Sequence, residues 1–151
     1  MPELGIGVIG AGFMGKLHST VYNQIPGVKL LGIADINKKR ADSIASKFNT
    51  ESYSDYLELL QNDEIQAVSI CVSDPNHLKP TVAAAEAGKD ILLEKPVAID
   101  IEEAETIVNT CNRENVKLTI GYLLRFNPNY AEIKNQIDEE KMGDIIHIYT
   151  R

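Results

Sequence analysis

The chain has 151 residues, 44% of them hydrophobic and 25% charged, a balance that excludes a disordered, collagen-like, mucin-like or coiled-coil chain. Fifteen basic residues against 22 acidic give a net charge of −7, which leaves no basic face for the counterion exchange that duplex nucleic-acid binding requires. The one basic cluster, Lys38-Lys39-Arg40, reads as a solvated helix face, so an anionic ligand has to be held by backbone N–H groups or single side chains.

Along the chain, short runs rich in Val, Ile and Leu alternate with amphipathic stretches. The runs are Leu4–Ile9, Lys29–Ala34, Ala67–Val72, Asp90–Leu93 and Val116–Ile120, with a shorter one at Glu51–Tyr53. Near-continuous apolar runs mark strands covered on both faces, as in a parallel sheet. Between them Met14–Gln24, Lys38–Lys47, Asp55–Gln61, His77–Ala87 and Ile101–Asn112 carry helical spacing. The alternation predicts an α/β fold with a doubly wound parallel sheet over residues 1–121. Gly27 and Gly88 stand where glycine ends a helix, and Asp100 precedes Glu102 and Glu103 as an N-cap, with a capping box available to Glu103.

After Gly121 the pattern changes. Pro128 opens a predicted helix to about Glu140, Gly143-Asp144 reads as a turn, and Ile145–Thr150 alternates like a strand. One helix and one strand cannot cover their own faces and edges. Residues 122–151 are therefore expected to be the first helix and strand of a truncated second α+β domain.

Leu4–Ile9 lacks a basic flank and runs into a glycine-rich turn, so it reads as a strand and not a signal peptide. No apolar run approaches the ~20 residues of a membrane span. Cys71 and Cys111 form no CxxC pair, as in a reducing compartment. The expected location is cytoplasmic, with no nucleic-acid or membrane partner.

Gly10-Ala11-Gly12-Phe13-Met14-Gly15 spells GxGxxG. Alone the pattern is common, and a tight turn without a ligand accounts for it. Here it follows a predicted strand, opens a predicted helix, and has Asp35 about twenty residues further on at the next strand end, which is the dinucleotide-binding arrangement. Gly10 permits the turn, Gly12 lets the backbone of Ala11, Phe13 and Met14 approach a pyrophosphate, and Gly15 lets the helix pack on the sheet. The helix N-terminus supplies N–H groups to the phosphates. Asp35 accepts from the adenosine ribose hydroxyls and repels a 2′-phosphate, so NAD is expected over NADP.

Glu94-Lys95-Pro96 lies at the end of the fifth predicted strand, on the edge where open α/β sheets bind ligands. Lys95 can bind or protonate an alcohol or carbonyl oxygen, with Glu94 orienting it. Taken alone, the pair reads equally as a surface ion pair. Ser73 at the fourth strand end can contact the nicotinamide side or simply make a turn. His77 suits either cofactor contact or a helix start. His18, one turn past Met14, reads as a packing residue, and Cys71 as a small buried hydrophobe. His18, His77 and His147 lack metal-ligand spacing, so no metal is expected.

Gly10–Gly15, Asp35, Pro75-Asn76, Ala87-Gly88-Lys89, Glu94-Lys95-Pro96 and Gly121-Tyr122 with Arg125-Phe126 and Pro128 occur in the order seen in the Gfo/Idh/MocA oxidoreductases, which the whole chain resembles. Asp74 and Lys79 depart from the Thr and His that many members carry there. The resemblance implies an N-terminal NAD(P)-binding Rossmann domain. It also implies a catalytic or substrate-orienting Lys95 that lies near the nicotinamide and contacts the cofactor, a nicotinamide pocket shaped by Glu94 and Pro96, a contact at Asn76, and Arg125 near the substrate. The implied reaction is hydride transfer between nicotinamide and a hydroxyl-bearing carbon of a sugar, cyclitol or related polyol, in a homo-oligomeric parent about twice as long. The 151-residue chain is then expected to bind cofactor without turnover. The alternative is a stand-alone dinucleotide-binding sensor, or a subunit completed by a partner chain.

Overall fold

A computed structural model describes residues 3–149. In chain order the elements are β1 (Leu4–Ile9), α1 (Phe13–Tyr22), β2 (Val28–Ala34), α2 (Lys38–Phe48), β3 (Glu51–Tyr53), α3 (Tyr56–Leu60) and β4 (Ala67–Ile70). They continue with α4 (Leu78–Glu86), β5 (Asp90–Leu93), α5 (Ile101–Arg113), β6 (Leu118–Ile120) and α6 (Pro128–Asp138). Two 3-10 turns, Asp74–Asn76 and Leu123–Phe126, complete the set. The chain divides into two compact units, Met1–Gly121 and Tyr122–Arg151.

The first unit is a six-stranded sheet in the order β3-β2-β1-β4-β5-β6, with every pair parallel. This is the doubly wound Rossmann order, with its switch point between β1 and β4. Successive residues of a strand face opposite sides, and the core divides accordingly. Val8 packs with Leu30, Ile33, Ala41, Ile44 and Cys71 on the side of α1 and α2. Its neighbour Ile9 packs with Leu59, Ile70, Ala84, Leu93 and Ile107 on the side of α3, α4 and α5. Burial on both faces is why these strands read as continuous apolar runs. No helix among the described residues is long and apolar enough to cross a membrane.

Differences from the expected elements sit at their ends. β4 stops at Ile70, leaving Cys71 and Val72 in the exit, because the chain turns at once into the 3-10 turn led by Asp74 and Pro75. Gly88, at φ +70°, follows the last turn of α4 as expected. Gly27 does not end a helix: α1 finishes at Tyr22, and Gly27, at φ +82°, turns the chain into β2 while its carbonyl accepts from Leu4 at 2.8 Å. Asp100 caps α5 by accepting from the Glu103 N–H at 2.8 Å. The reciprocal half of the capping box is not made, since Glu103 Oε2 is buried without a partner.

In the second unit, Asn127 caps α6 by accepting from the Asn129 N–H at 3.0 Å, and Pro128 takes the first helical position. The strand expected at Ile145–Thr150 does not form over Ile145–Tyr149, and Thr150 lies outside the described residues. Alternation favours a strand only when a neighbour supplies the other half of the ladder. Ile146, Ile148 and Tyr149 remain exposed.

Candidate functional site

The chemistry-bearing residues of the first unit meet at the carboxyl edge of the sheet because the ladder runs one residue past each strand. Asp35 N–H donates to Tyr53 O at 3.2 Å, Gly10 N–H to Ala34 O at 2.7 Å and Cys71 N–H to Ile9 O at 2.7 Å. Glu94 N–H donates to Ile70 O at 3.0 Å and Gly121 N–H to Leu93 O at 2.8 Å. Five exits separated widely in sequence thus stand in one row: Asp35, Gly10, Cys71, Glu94, Gly121.

Gly10 turns the chain at φ +102°, and a Cβ there would press on the Cys71 carbonyl. A Cβ on Gly15 would overlap the Gly10 carbonyl oxygen, so α1 begins in direct contact with the loop that leads into it. Gly12 differs: a Cβ there meets no protein atom within 4 Å. The fold does not require glycine at 12, whereas a group lying close over the backbone would. Gly12 is also the N-cap of α1 and no side chain caps that end, so the first N–H groups, from Phe13 and Met14 onward, are free to serve an anion. The loop therefore fits a dinucleotide pyrophosphate.

Asp35 is half-buried. Its Oδ2 accepts from the Ala11 N–H at 2.7 Å and its Oδ1 from the Asn37 N–H at 2.7 Å. Both oxygens keep lone pairs for further donors. Beyond it Ile36 is almost fully exposed, as is Phe13 on the loop. Lys38, the first cation after the acid, is committed elsewhere. Its Nζ bonds Asp42 Oδ1 and Ser52 O, each at 2.8 Å, and also reaches Ser52 Oγ. Hydrogen bonds from Lys38 and Ser52 hold the Asp42 carboxyl below its ordinary value.

At the other end of the row, Glu94 is buried. Its Oε2 accepts from the Lys95 N–H at 3.3 Å, and a Cβ on Gly121 would come within 3.2 Å of Oε1. Lys95 is exposed, and its Nζ has no ion-pair partner among the described residues. The surface Glu94–Lys95 ion pair that the tripeptide alone allowed is therefore not made. The Lys95–Pro96 peptide is cis. Ser73 and Asn76 meet each other, with Asn76 Nδ2 donating to Ser73 Oγ at 2.8 Å on the exposed exit of β4. Arg125 belongs to the second unit, in the turn Leu123–Phe126.

Two histidines do more than their sequence positions announced. His77 stands at the N-cap of α4, where the helix-start reading puts it, but its side chain neither caps that helix nor faces solvent. It is fully buried, with Nδ1 at 2.7 Å from Pro96 O and Nε2 at 3.2 Å from Val72 O, and so ties the exit of β4 to the Glu-Lys-Pro loop. His18 reaches from α1 to Ser69 on β4, at 2.6 Å from Nδ1, and to Glu94 Oε1, at 3.0 Å from Nε2. The spacing of His18 from Gly15 and Ser19, both buried, was the available signal that it faces the sheet. No residue type near His77 hinted at its two carbonyl partners. Among the described residues no cluster of His, Cys, Asp and Glu could hold a metal.

The family model for the oxidoreductase family with an NAD-binding Rossmann fold, Gfo/Idh/MocA, matches residues 4–122. The uncharacterized oxidoreductase YrbE of Bacillus subtilis is 36% identical over 142 residues, covering 93% of this chain and 42% of that protein. The scyllo-inositol 2-dehydrogenase (NAD(+)) of Bacillus subtilis is 33% identical over 142 residues, with the same coverage. Among solved structures, scyllo-inositol dehydrogenase of Lactobacillus casei with bound NAD(H) and scyllo-inositol superposes with a TM-score of 0.89 at 30% identity, covering 95% of this chain and 43% of that one. The chain thus spans well under half the length of the relatives it matches. From the parallel sheet order, the glycine loop closed against Asp35, and the family match over residues 4–122, the chain belongs to the Gfo/Idh/MocA oxidoreductases, of which it carries the NAD-binding Rossmann fold.

Proposed function

We propose that the first unit binds NAD across the row of strand exits, and that it is the cofactor domain of a dehydrogenase acting on a polyol. The observation that carries this is the pairing of an open, uncapped loop at Gly12 with an Asp35 carboxylate fixed beside it. The N–H groups at the start of α1 would take the pyrophosphate charge. Asp35 would accept from the ribose hydroxyls, and the exposed Ile36 would offer an apolar face to the adenine. NAD is preferred over NADP because Asp35 repels a 2′-phosphate while Lys38, the nearest cation in sequence, is held by Asp42 and Ser52.

NAD supplies a nicotinamide that accepts or returns a hydride when bound. The chain's own residues position and polarise. Glu94 and Pro96 would border the nicotinamide, with Ser73 and Asn76 on the adjoining exit. Lys95, exposed and without an ion-pair partner, would donate a hydrogen bond to the reacting oxygen. A cyclitol or sugar would be the substrate class, as two of the named relatives are scyllo-inositol dehydrogenases; Arg125 is the residue of the second unit that would meet it. Residues 122–151 would open the substrate domain, and the 151-residue chain by itself would bind cofactor without turnover.

The test is a titration of the chain with NADH and with NADPH, followed by nicotinamide fluorescence. Saturable binding of NADH, several-fold tighter than NADPH, is the expected result. A folded chain that binds neither would remove the proposal.

A further inference from the structure

The cofactor reading uses the glycine loop at one end of the row and Glu94-Lys95 at the other. One side chain joins the helix that starts at the loop to the strand that ends at Glu94, and that is His18. Its hydrogen-bond chain has a direction. The Tyr22 hydroxyl donates to Ser69 Oγ at 3.2 Å. Ser69 Oγ stands 2.6 Å from His18 Nδ1, and His18 Nε2 stands 3.0 Å from Glu94 Oε1. A carboxylate only accepts, so Nε2 carries a proton; in the neutral ring Nδ1 then accepts from Ser69, and Ser69 accepts from Tyr22. Every hydroxyl then has a use for its proton. Burial raises the Tyr22 phenol above its ordinary value and pushes the Cys71 thiol, 3.5 Å from Nδ1, up to about 12. Both therefore stay neutral, and neither reverses the chain.

We propose that His18 is a positioning residue that couples the two ends of the cofactor site, bringing the chain Tyr22–Ser69–His18 to within 3.0 Å of the Glu94 carboxylate. It fixes the Glu94 carboxylate, and through Oε2 and the Lys95 N–H it fixes the direction in which Lys95 leaves β5. The Nε2 contact lies off the line of a well-aligned hydrogen bond, so the buried Oε1 keeps room for a second donor. On the cofactor reading, on which this rests, that donor is a hydroxyl or amide of the nicotinamide half.

The experiment compares NADH, which spans both ends, with ADP, which fills only the adenosine and pyrophosphate end. It uses the full chain and the variants His18→Leu and His18→Gln, with nitrogen NMR of the His18 ring in the wild type. His18→Leu is expected to weaken NADH roughly three- to tenfold, the factor carried by one such hydrogen bond, and ADP by less than about twofold. His18→Gln, which restores an N–H toward Glu94, is expected to recover most of the loss. The ring is expected as the Nε2–H tautomer. Equal losses for both ligands, a Gln variant no better than Leu, or an Nδ1–H ring would overturn the proposal. If His18→Leu does not fold, Ser69→Ala removes the donor to Nδ1 and reads the same ratio. A wild-type chain that binds neither ligand would refute the cofactor reading instead, and the tautomer would still decide the chain.

Discussion

Asp35 Oδ2 accepts the backbone N–H of Ala11 at 2.7 Å. The acid that ends β2 therefore braces the loop that ends β1, and on the proposed function the same side chain would also meet the ribose. Replacing it should separate the two roles. Asp35→Asn retains an oxygen for Ala11 but loses the charge. NADH affinity should fall roughly tenfold, the scale of a lost charge-assisted hydrogen bond. NADPH affinity should fall less or rise, since the repulsion of a 2′-phosphate is gone. Parallel fluorescence titrations check this, and an unchanged NADH-to-NADPH ratio would count against Asp35 as the discriminating residue.

Gly12 and Gly15 should part company in the same way. A methyl at 15 overlaps the Gly10 carbonyl oxygen, and Gly15→Ala should cost about 3 kcal/mol, the upper range of overpacking. A methyl at 12 meets nothing, and Gly12→Ala should cost no more than about 1 kcal/mol, as at an N-cap. Its NADH affinity should nevertheless drop by roughly tenfold or more. Urea denaturation and NADH titration of both variants supply the two readouts.

Alkali should weaken the fold through Cys71. Burial raises this thiol from its ordinary 9.0 to about 12. Below the lower value the thiol is protonated in both states and the contribution is intact. As pH rises past it, the unfolded chain releases a proton that the folded chain retains, so stability falls by about 1.4 kcal/mol per pH unit until the folded value is reached. Tyr22, raised by burial, adds to the loss in the same direction at higher pH. Urea midpoints measured between about pH 8 and 10 should drop more steeply for the wild type than for Cys71→Ala.

Lys95 should matter little for binding the cofactor and greatly for chemistry. Its ammonium has no ion-pair partner among the described residues, so Lys95→Met should leave NADH affinity within about twofold. No polyol-dependent NAD reduction is expected from the 151-residue chain. In a longer protein that carries this domain and turns over, Lys95→Met should lower kcat with KM for NAD nearly unchanged. A proportionate loss of NAD affinity would assign the lysine to the cofactor instead.

The parts of this arrangement visible in the sequence are those whose meaning is local. Gly10 to Gly15 and Asp35 each follow a strand directly, and a strand exit is marked by the end of its own apolar run. Glu94-Lys95-Pro96 is legible for the same reason. Contacts between exits are not local. His18 and Glu94 belong to different layers of the sandwich, and only the β1–β4–β5 pairing brings them together. The burial of His77 depends on where Pro96 O and Val72 O end up, which no spacing encodes. At Ile145–Tyr149 the alternation is present but the ladder partner is not, and the period of a segment says nothing about what lies beside it.

The crowding of Gly10 and Gly15 also bears on how such a protein can change over generations. With the backbone at Gly10 pressed against Cys71 and that at Gly15 against the Gly10 carbonyl, a substitution at either glycine harms the fold before it alters a ligand. The exit of β2, which on the proposed function would face the adenosine, is permissive, because Asn37, Lys39 and Arg40 are exposed and Lys38 is restrained only by surface partners. Losing Asp42 would release that lysine a few residues from Asp35. A lineage under selection for a different dinucleotide would therefore accumulate its changes between positions 35 and 42, while Gly10 and Gly15 stayed unchanged.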